Sequence, residues 1–244
     1  MNPNVYLARQ ELLKQLELPV SKADVKRLQR KQRVKLMIWE LSMGSLFFVK
    51  RVVDVLASGL GMLALSPVFL GLMAAIMIED GWPVFYSQNR VGQNGRVFRF
   101  YKFRSMVRNA DKIKEQLKEQ NESGDGVIFK MKHDPRVTKI GRFIRRYSLD
   151  ELPQLFNVFI GDMSLVGPRP PIPSEVAEYT LEERKRLHVK PGITCIWQVS
   201  GRSDIPFKEQ VQLDVQYIRS QGIWNDFLLL LKTIPAVLLG KGAY

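Results

Sequence analysis

A run of 24 residues without a single charge, Val55 to Ile78 (VLASGLGMLALSPVFLGLMAAIMI), constrains this chain more than any other feature. A straight helix of that length would reach ~36 Å, enough for a hydrocarbon core of ~30 Å. A helix on the surface of a water-soluble domain carries a polar stripe, and this run has none. It therefore reads as membrane-inserted. Near its middle stands Ser66-Pro67. Proline removes a backbone hydrogen bond and clashes with the preceding turn, while the serine hydroxyl can bond to backbone groups that the proline frees. Both flanks are basic, with Lys50 and Arg51 before the run and Arg90, Arg96, Arg99, Lys102 and Arg104 after it. Such residues stay on the cytoplasmic side. A helix that enters, bends at Ser66-Pro67 and returns to the same face satisfies both signals. A straight span with Pro67 as a mild kink is the alternative.

Across its 244 residues the chain carries 37 Lys and Arg against 24 Asp and Glu, a net charge of +13, with 45% hydrophobic residues. That share of apolar residues excludes a wholly disordered polycation. The single cysteine, Cys195, allows no intramolecular disulfide, and the two histidines, His133 and His188, argue against a His/Cys zinc site. The positive charge narrows the partners to nucleic acid, a lipid surface or a phosphorylated small molecule. No cleavable leader is visible in the polar, basic residues 1–45.

Three regions follow: a basic N-terminal helical extension over 1–45, the re-entrant helix over 46–80, and a cytoplasmic domain over 81–244. The fold class is α+β, mainly helical. The extension reads as two helical stretches broken near Pro19, the second running from Ser21 to about Leu41 and suited to an anionic membrane surface. A solvated helix or a linker to a partner is the alternative. Alternating residues on either side of Gln93-Asn94-Gly95 predict a β-hairpin between Pro83 and Met106. A charged helix is expected over 109–126, a rigid turn over Pro168 to Pro173, and a mostly helical stretch over 174–220. The apolar C-terminal stretch WNDFLLLLKTIPAVLLG is short, like an interfacial helix.

The chemistry concentrates between Arg136 and Arg169. Arg136, Lys139, Arg142, Arg145 and Arg146 arrive without an intervening acid, followed by Ser148-Leu149-Asp150-Glu151-Leu152-Pro153-Gln154 and a helical repeat of Leu152, Leu155, Phe156 and Phe159. Ser148 with Glu151 spells a capping box. Asp150 as the N-cap places Pro153 where its missing N–H costs nothing, and is preferred. Both acids are then ordinary first-turn residues on a favourable dipole. The alternative is chemical. Phosphate binds at helix N-termini, the surrounding cations would keep Asp150 ionised as a nucleophile, and Glu151 could hold Mg²⁺, a hard ion that bridges phosphates. Arg169, on the stiff Gly167-Pro168-Arg169-Pro170 turn, is a planar donor for phosphate or carboxylate.

From about Lys50 onward the chain resembles the bacterial sugar transferases, the monotopic polyprenyl-phosphate phosphoglycosyl transferases. The resemblance rests on four stretches in order: KRVVD before an apolar segment with Ser66-Pro67; RVGQNGRVFRFYKFRSM; DPRVTKIGRFIRRYSLDELPQLFNVFIGDMSLVGPRP; and KPGITCIWQVSGRS followed by LDVQYI. It implies transfer of a sugar-1-phosphate from a UDP-sugar to undecaprenyl phosphate with release of UMP. UDP-glucose or UDP-galactose is the favoured donor, and the product starts exopolysaccharide or O-antigen repeats. It further implies Asp150 as nucleophile and Glu151 as Mg²⁺ ligand, with Arg145, Arg169 and Lys102 at phosphate-handling positions and Ser66-Pro67 as the membrane break. The expected location is the cytoplasmic face of the inner membrane, among membrane lipid, with a homo-oligomer or downstream glycosyltransferases as partners. Two departures stand out. Cys195 and Ile196 replace the usual glycine and small residue after PGIT, and the N-terminal multi-span domain of larger relatives is not seen. A membrane-tethered nucleic-acid binder, stacking bases on Phe98, Phe100 and Tyr101, is the competing class. It leaves the acidic pair and Gly-Pro-Arg-Pro unexplained, so no nucleic-acid partner is expected.

Overall fold

The computed structural model describes residues 22–110, 112–113 and 134–239. The helical stretch expected before Pro19 and most of the charged helix expected over 109–126 lie outside the described residues. Within them the chain is mainly helical, with two small two-stranded sheets. It divides into two compact units, Met1–Val49 and Lys50–Tyr244. Residues 22–49 of the first are helical and belong to helix α1, Lys22–Ala64. The sequence placed the end of this helix near Leu41. It runs on because no proline interrupts the chain between Pro19 and Pro67.

Helix α2, Ser66–Asp80, follows a single non-helical residue, Leu65 (φ −88°, ψ 4°). The segments Gly44–Ala64 and Ser66–Asp80 meet at 59°. No single helix among the described residues is long and apolar enough to cross a membrane, but this bent pair is, by length and composition. The bend has a local cause. Pro67 has no N–H to offer the Leu63 carbonyl, and the Ser66 hydroxyl donates to that oxygen instead, at 2.8 Å. Apolar side chains stand out from both limbs, with Leu63 73% and Ile78 86% exposed.

Both ends of the bent pair are fastened to the body of the second unit. The Arg51 guanidinium donates to the Val158 and Phe159 carbonyls (2.6 and 2.8 Å). The buried Asp54 carboxylate accepts from Ser164 Oγ (3.1 Å) and Leu165 N (3.0 Å). Lys50 pairs with Asp226 and donates to the Val166 carbonyl at 3.2 Å. At the far end Arg104 donates to the Asp80 and Gly81 carbonyls (3.0 and 2.7 Å), satisfying groups that a helix C-terminus leaves open. Glu79 in turn accepts from Lys139 N and Ile140 N (2.7 and 3.0 Å). Lys50, Arg51 and Arg104 therefore also serve as internal anchors.

The hairpin forms as expected: strands β1 (Phe85–Val91) and β2 (Val97–Phe103) pair antiparallel, Phe85 opposite Phe103 and Val91 opposite Val97. The turn takes positive φ at Asn94 (56°) and Gly95 (80°), matching strand twist. Phe98 and Phe100 pack with Val158 and Met163, while Phe103 packs with Leu72 and Ile76 of α2, Val84 and Ile144. Leu149 and Leu152, which bracket the acidic pair, rest on this second cluster. The turn that carries Asp150 and Glu151 thus shares this cluster with α2, one limb of the bent pair.

The remaining helices are α3 (Lys139–Arg146, its first turn capped by Thr138), α4 (Gln154–Ile160), α5 (Pro173–Glu178), α6 (Ile196–Ser200), α7 (Phe207–Arg219) and α8 (Ile223–Leu239). Helix α8 buries Leu229 and leaves Trp224, Phe227, Leu231, Ile234 and Leu238 exposed. A second sheet, parallel, pairs β3 (Ser164–Val166) with β4 (Gly192–Thr194). There the backbones at Gly167 and Gly192 touch: a Cβ on Gly192 would sit 2.0 Å from Gly167 N. Only glycine allows that approach, which sets the course of the chain into Pro168-Arg169.

Candidate active site

The acidic pair does not begin a helix. Ser148 takes a left-handed conformation (φ 53°), Leu149–Glu151 form a 3₁₀ turn, and α4 starts only at Gln154, after Pro153. Neither expected N-cap forms: Ser148 makes no capping bond, and Asp150 lies inside the turn. The reason is where the carboxylates go. They turn to side-chain cations, and Pro153, without an N–H, sits ahead of the helix rather than in its first turn.

Strand periodicity puts Lys102 on the face of β2 that carries Phe98 and Phe100, with its ammonium 5.6 Å from the Phe100 ring centre. Asn157 of α4 clamps that strand: its amide donates to Arg99 O (2.7 Å) and accepts from Tyr101 N (3.1 Å). Lys102 Nζ is consequently held 3.3 Å from Asp150 Oδ2 and 2.8 Å from Glu151 Oε1. Arg169 Nη2 reaches the same Oε1 at 2.8 Å. Its Nη1 meets the Gln198 amide oxygen at 2.9 Å, with the Gln198 nitrogen donating to Ile193 O at 3.2 Å. Lys102 and Arg169 both donate to Oε1 of Glu151, leaving Oε2 free of either cation.

Adjacent carboxyls, 8% and 13% exposed, therefore behave differently. Burial raises the Asp150 pKa above the usual carboxylate range, and Lys102 offsets only part of this. Burial also works against Glu151, but Arg169 and Lys102 together hold its carboxyl well below the usual range. Glu151 in return raises Arg169 against the effect of burial. Positive surroundings thus keep Glu151, not Asp150, the more firmly ionised of the two.

These four residues line an open cleft of about 570 Å³. Arg145 lines it too, and makes no side-chain hydrogen bond to a described residue. Ser66 and Pro67 do not; they act at the bend. Sequence reasoning assigned no role to Gln198 or Arg202, which also line the cleft, although both lie in the CIWQVSGRS string. It counted Arg90 only as a flank charge. Arg90 also lines the cleft, and burial followed by the nearby Arg169 lowers its pKa to about 10. Helix α8 supplies Thr233, Ala236 and Val237 to one wall. No cluster of three or more His, Cys, Asp or Glu occurs among the described residues. Two carboxylates, one firmly ionised with a free oxygen, fit Mg²⁺, which uses one or two protein carboxylates together with substrate phosphates.

Residues 45–240 match the family model for bacterial sugar transferase. The chain belongs to this family. It is 51% identical over 195 residues to the galactosyl transferase CpsE of Streptococcus agalactiae, covering 80% of this chain and 43% of that protein. It is 44% identical over 200 residues to an undecaprenyl-phosphate galactose phosphotransferase of Salmonella typhimurium, covering 81% of this chain and 42% of that protein. The exopolysaccharide production protein ExoY of Rhizobium meliloti is 41% identical over 198 residues, covering 80% of this chain and 88% of that protein. This sugar transferase therefore spans less than half of the first two relatives and most of the third.

Proposed function

We propose that this sugar transferase moves a sugar-1-phosphate from a UDP-sugar to undecaprenyl phosphate at the cytoplasmic face of the inner membrane, with UDP-glucose or UDP-galactose as donor. The observation that carries the reading is the division of labour between the two adjacent carboxyls, in a cationic cleft whose acidic turn rests on an apolar bent helix pair. The reaction has two displacements. An Asp150 carboxylate oxygen attacks the sugar-linked phosphorus, and the bond from that phosphorus to the bridging oxygen breaks, releasing UMP. A phosphate oxygen of the lipid then attacks the same phosphorus and expels Asp150, leaving a lipid diphosphate sugar.

Each residue has a task in this scheme. Burial makes Asp150 a more basic carboxylate than a solvated one, and Lys102 keeps part of its charge in place. Lys102, Arg169 and Arg145 face the charge of the phosphates. Glu151, with the substrate phosphates, would hold Mg²⁺, which neutralises charge on the departing nucleotide. The exposed apolar sides of the bent pair and of α8 suit a lipid interface, where the acceptor's phosphate lies.

A panel of UDP-sugars, assayed for UMP release with and without undecaprenyl phosphate, tests the reading. Galactose or glucose donors should support turnover, and initial rates should show the parallel lines of a ping-pong reaction. The Asp150→Asn protein should lose turnover by about 10³-fold or more while still folding. Near-normal turnover in that variant, or rates requiring both substrates bound together, would overturn it.

A further inference from the structure

Away from the acidic cleft, a second cavity of about 450 Å³ opens where the hairpin turn meets the end of α4. Residues 92–96, Gly161, Asp162 and Lys190 line it, and it shares no residue with the acidic cleft. Its walls are set by the backbone. Gln93 Nε2 donates to His188 O at 3.1 Å, tying the turn to the segment that carries Lys190. The Lys190 carbonyl packs so closely on Gly167 that a Cβ there would lie 2.4 Å from it. Gly161, at φ 97°, leaves room for two cations: its Cβ would lie 3.2 Å from Arg51 Nη2 and 3.7 Å from Lys190 Nζ. Arg51 is already bonded to the Val158 and Phe159 carbonyls. Lys190, half-buried, and Arg96, exposed, make no side-chain hydrogen bond or ion pair with a described residue. One carboxylate, Asp162, shares the cavity and is paired with neither. Asp54, the other acid acting on Lys190, is buried and bonded to Ser164 and Leu165. Burial, and then Arg51, lower the Lys190 pKa, so its charge is poorly compensated.

The surroundings indicate which anion. Directly after Arg51 the bent pair turns apolar, with Val52, Val53 and Leu56 40%, 45% and 59% exposed. Val97, beside Arg96, and Phe159 and Ile160, just before Gly161, are exposed as well. A Cβ on Gly59 would touch the Phe159 ring at 3.4 Å, so this apolar surface continues onto the first limb of the pair. Cations at the edge of such a surface lie at the depth of lipid phosphates. A soluble anion would use the cations and leave the apolar side chains in water, whereas an amphiphile uses both. Accepting the membrane placement of the bent pair proposed above, we infer that this cavity holds the phosphodiester headgroup of an anionic membrane phospholipid, bound by Lys190 and Arg96. The acceptor lipid is a different ligand, because its phosphate must reach Asp150 in the other cleft.

Thermal unfolding of the full chain in detergent micelles tests this. Phosphatidylglycerol added to the micelles should raise Tm, as any ligand of the folded state does, and phosphatidylcholine should not. Lys190→Gln and Arg96→Gln should each need about tenfold more phosphatidylglycerol for the same rise, the loss expected of one charged hydrogen bond. The rise should vanish in the double variant. Lys208→Gln, which removes an exposed charge on α7, should match the parent. Each rise is read against that protein's own Tm, so a variant of lower starting stability still reports binding. Equal rises in the parent and both cavity variants overturn the inference. So does an equal loss in Lys208→Gln, which would make the effect one of net charge. A rise given equally by inorganic phosphate would assign the cavity to a soluble anion, and one given only by undecaprenyl phosphate would make it an acceptor site; either result overturns the headgroup assignment. Flotation of the parent protein with vesicles of phosphatidylcholine, alone and mixed with phosphatidylglycerol, judges the membrane placement separately. Failure to float with either would remove the placement and the inference with it. Flotation together with equal rises in all variants would remove the headgroup site alone.

Discussion

The bent helix pair and the acidic cleft solve the problem of polar groups in a poor solvent in opposite ways. The pair keeps its middle apolar and puts its charges at its ends, where Lys50, Arg51, Asp54 and Glu79 bond to the body of the second unit and Arg104 of that body holds the Asp80 carbonyl. The cleft concentrates charge at its centre and surrounds it with leucines and prolines. In the pair, each anchor is matched to its partner and has no chemistry left. In the cleft the matching is uneven: Glu151 takes two cations on one oxygen, Asp150 takes one weaker contact, and Arg145 and Arg202 take none from described side chains. Uneven pairing is the mark of a site that awaits a charged ligand.

The sharpest way to test that contrast is to neutralise the two adjacent acids one at a time. Both substitutions should abolish turnover, yet their effects on stability should have opposite signs. The Asp150 carboxyl has a folded pKa above its ordinary 3.8, so at neutral pH its ionised form opposes folding, and Asp150→Asn should leave Tm unchanged or raised. The Glu151 carboxyl has a folded pKa below its ordinary 4.5, so its contribution is complete above that value and is lost as pH falls below it. Glu151→Gln should therefore cost about 3 kcal/mol at pH 7, because it strands two cations, and should lose less stability than the parent on acidification. Thermal unfolding of the two variants at pH 7 and pH 4 reads both signs. A destabilised Asp150→Asn beside a neutral Glu151→Gln would reverse the assignment of roles.

A smaller effect separates the ends of the bent pair from its middle. Lys50→Met strands the nearly buried Asp226 and should cost about 2 kcal/mol. Leu60, 66% exposed on the apolar side, should tolerate Ala within about 0.5 kcal/mol in detergent while weakening sedimentation with lipid vesicles. Adding Asp226→Leu to Lys50→Met should recover most of the loss, since the pair goes together. Equal effects at Lys50 and Leu60 would mean that the anchors do not set stability.

How much of this was legible in the sequence depended on the range over which each feature is decided. The β-hairpin was, because alternation and Gln93-Asn94-Gly95 fix it within a few residues. The helix break was, because Pro67 withholds a donor and Ser66 supplies one next door. The gathering of Asp150, Glu151, Lys102 and Arg169 was legible only as a resemblance, since their approach depends on Asn157 bridging α4 to β2 and on the Gly167–Gly192 contact. The parallel sheet was invisible, because three-residue strands carry no period. The turn at Asp150 was misread as a helix start, because capping rules weigh only local backbone partners and the carboxylates found distant cations. The internal partners of Lys50 and Arg51 were out of reach for the same reason: the Lys50 partner is 176 residues away.

The last and smallest effect concerns the bend itself. Ser66→Ala removes one hydrogen bond, from Oγ to the Leu63 carbonyl, and should cost about 1 kcal/mol. Alone it leaves the Leu63 carbonyl without a donor, so the bend should loosen without straightening. Combined with Pro67→Ala it restores a backbone N–H at position 67, the donor a continuous helix would use, and nothing then holds the 59° angle. The double variant should accordingly behave as a straight apolar helix long enough to span. Cysteine labelling in a Cys195→Ser background reads the difference. With a cysteine introduced near the N-terminus, an impermeant reagent applied outside the inner membrane should miss the parent and Ser66→Ala proteins and reach a fraction of the double variant. Labelling of the parent protein from outside would mean that the bent pair crosses the membrane, and that Ser66 and Pro67 only kink a span.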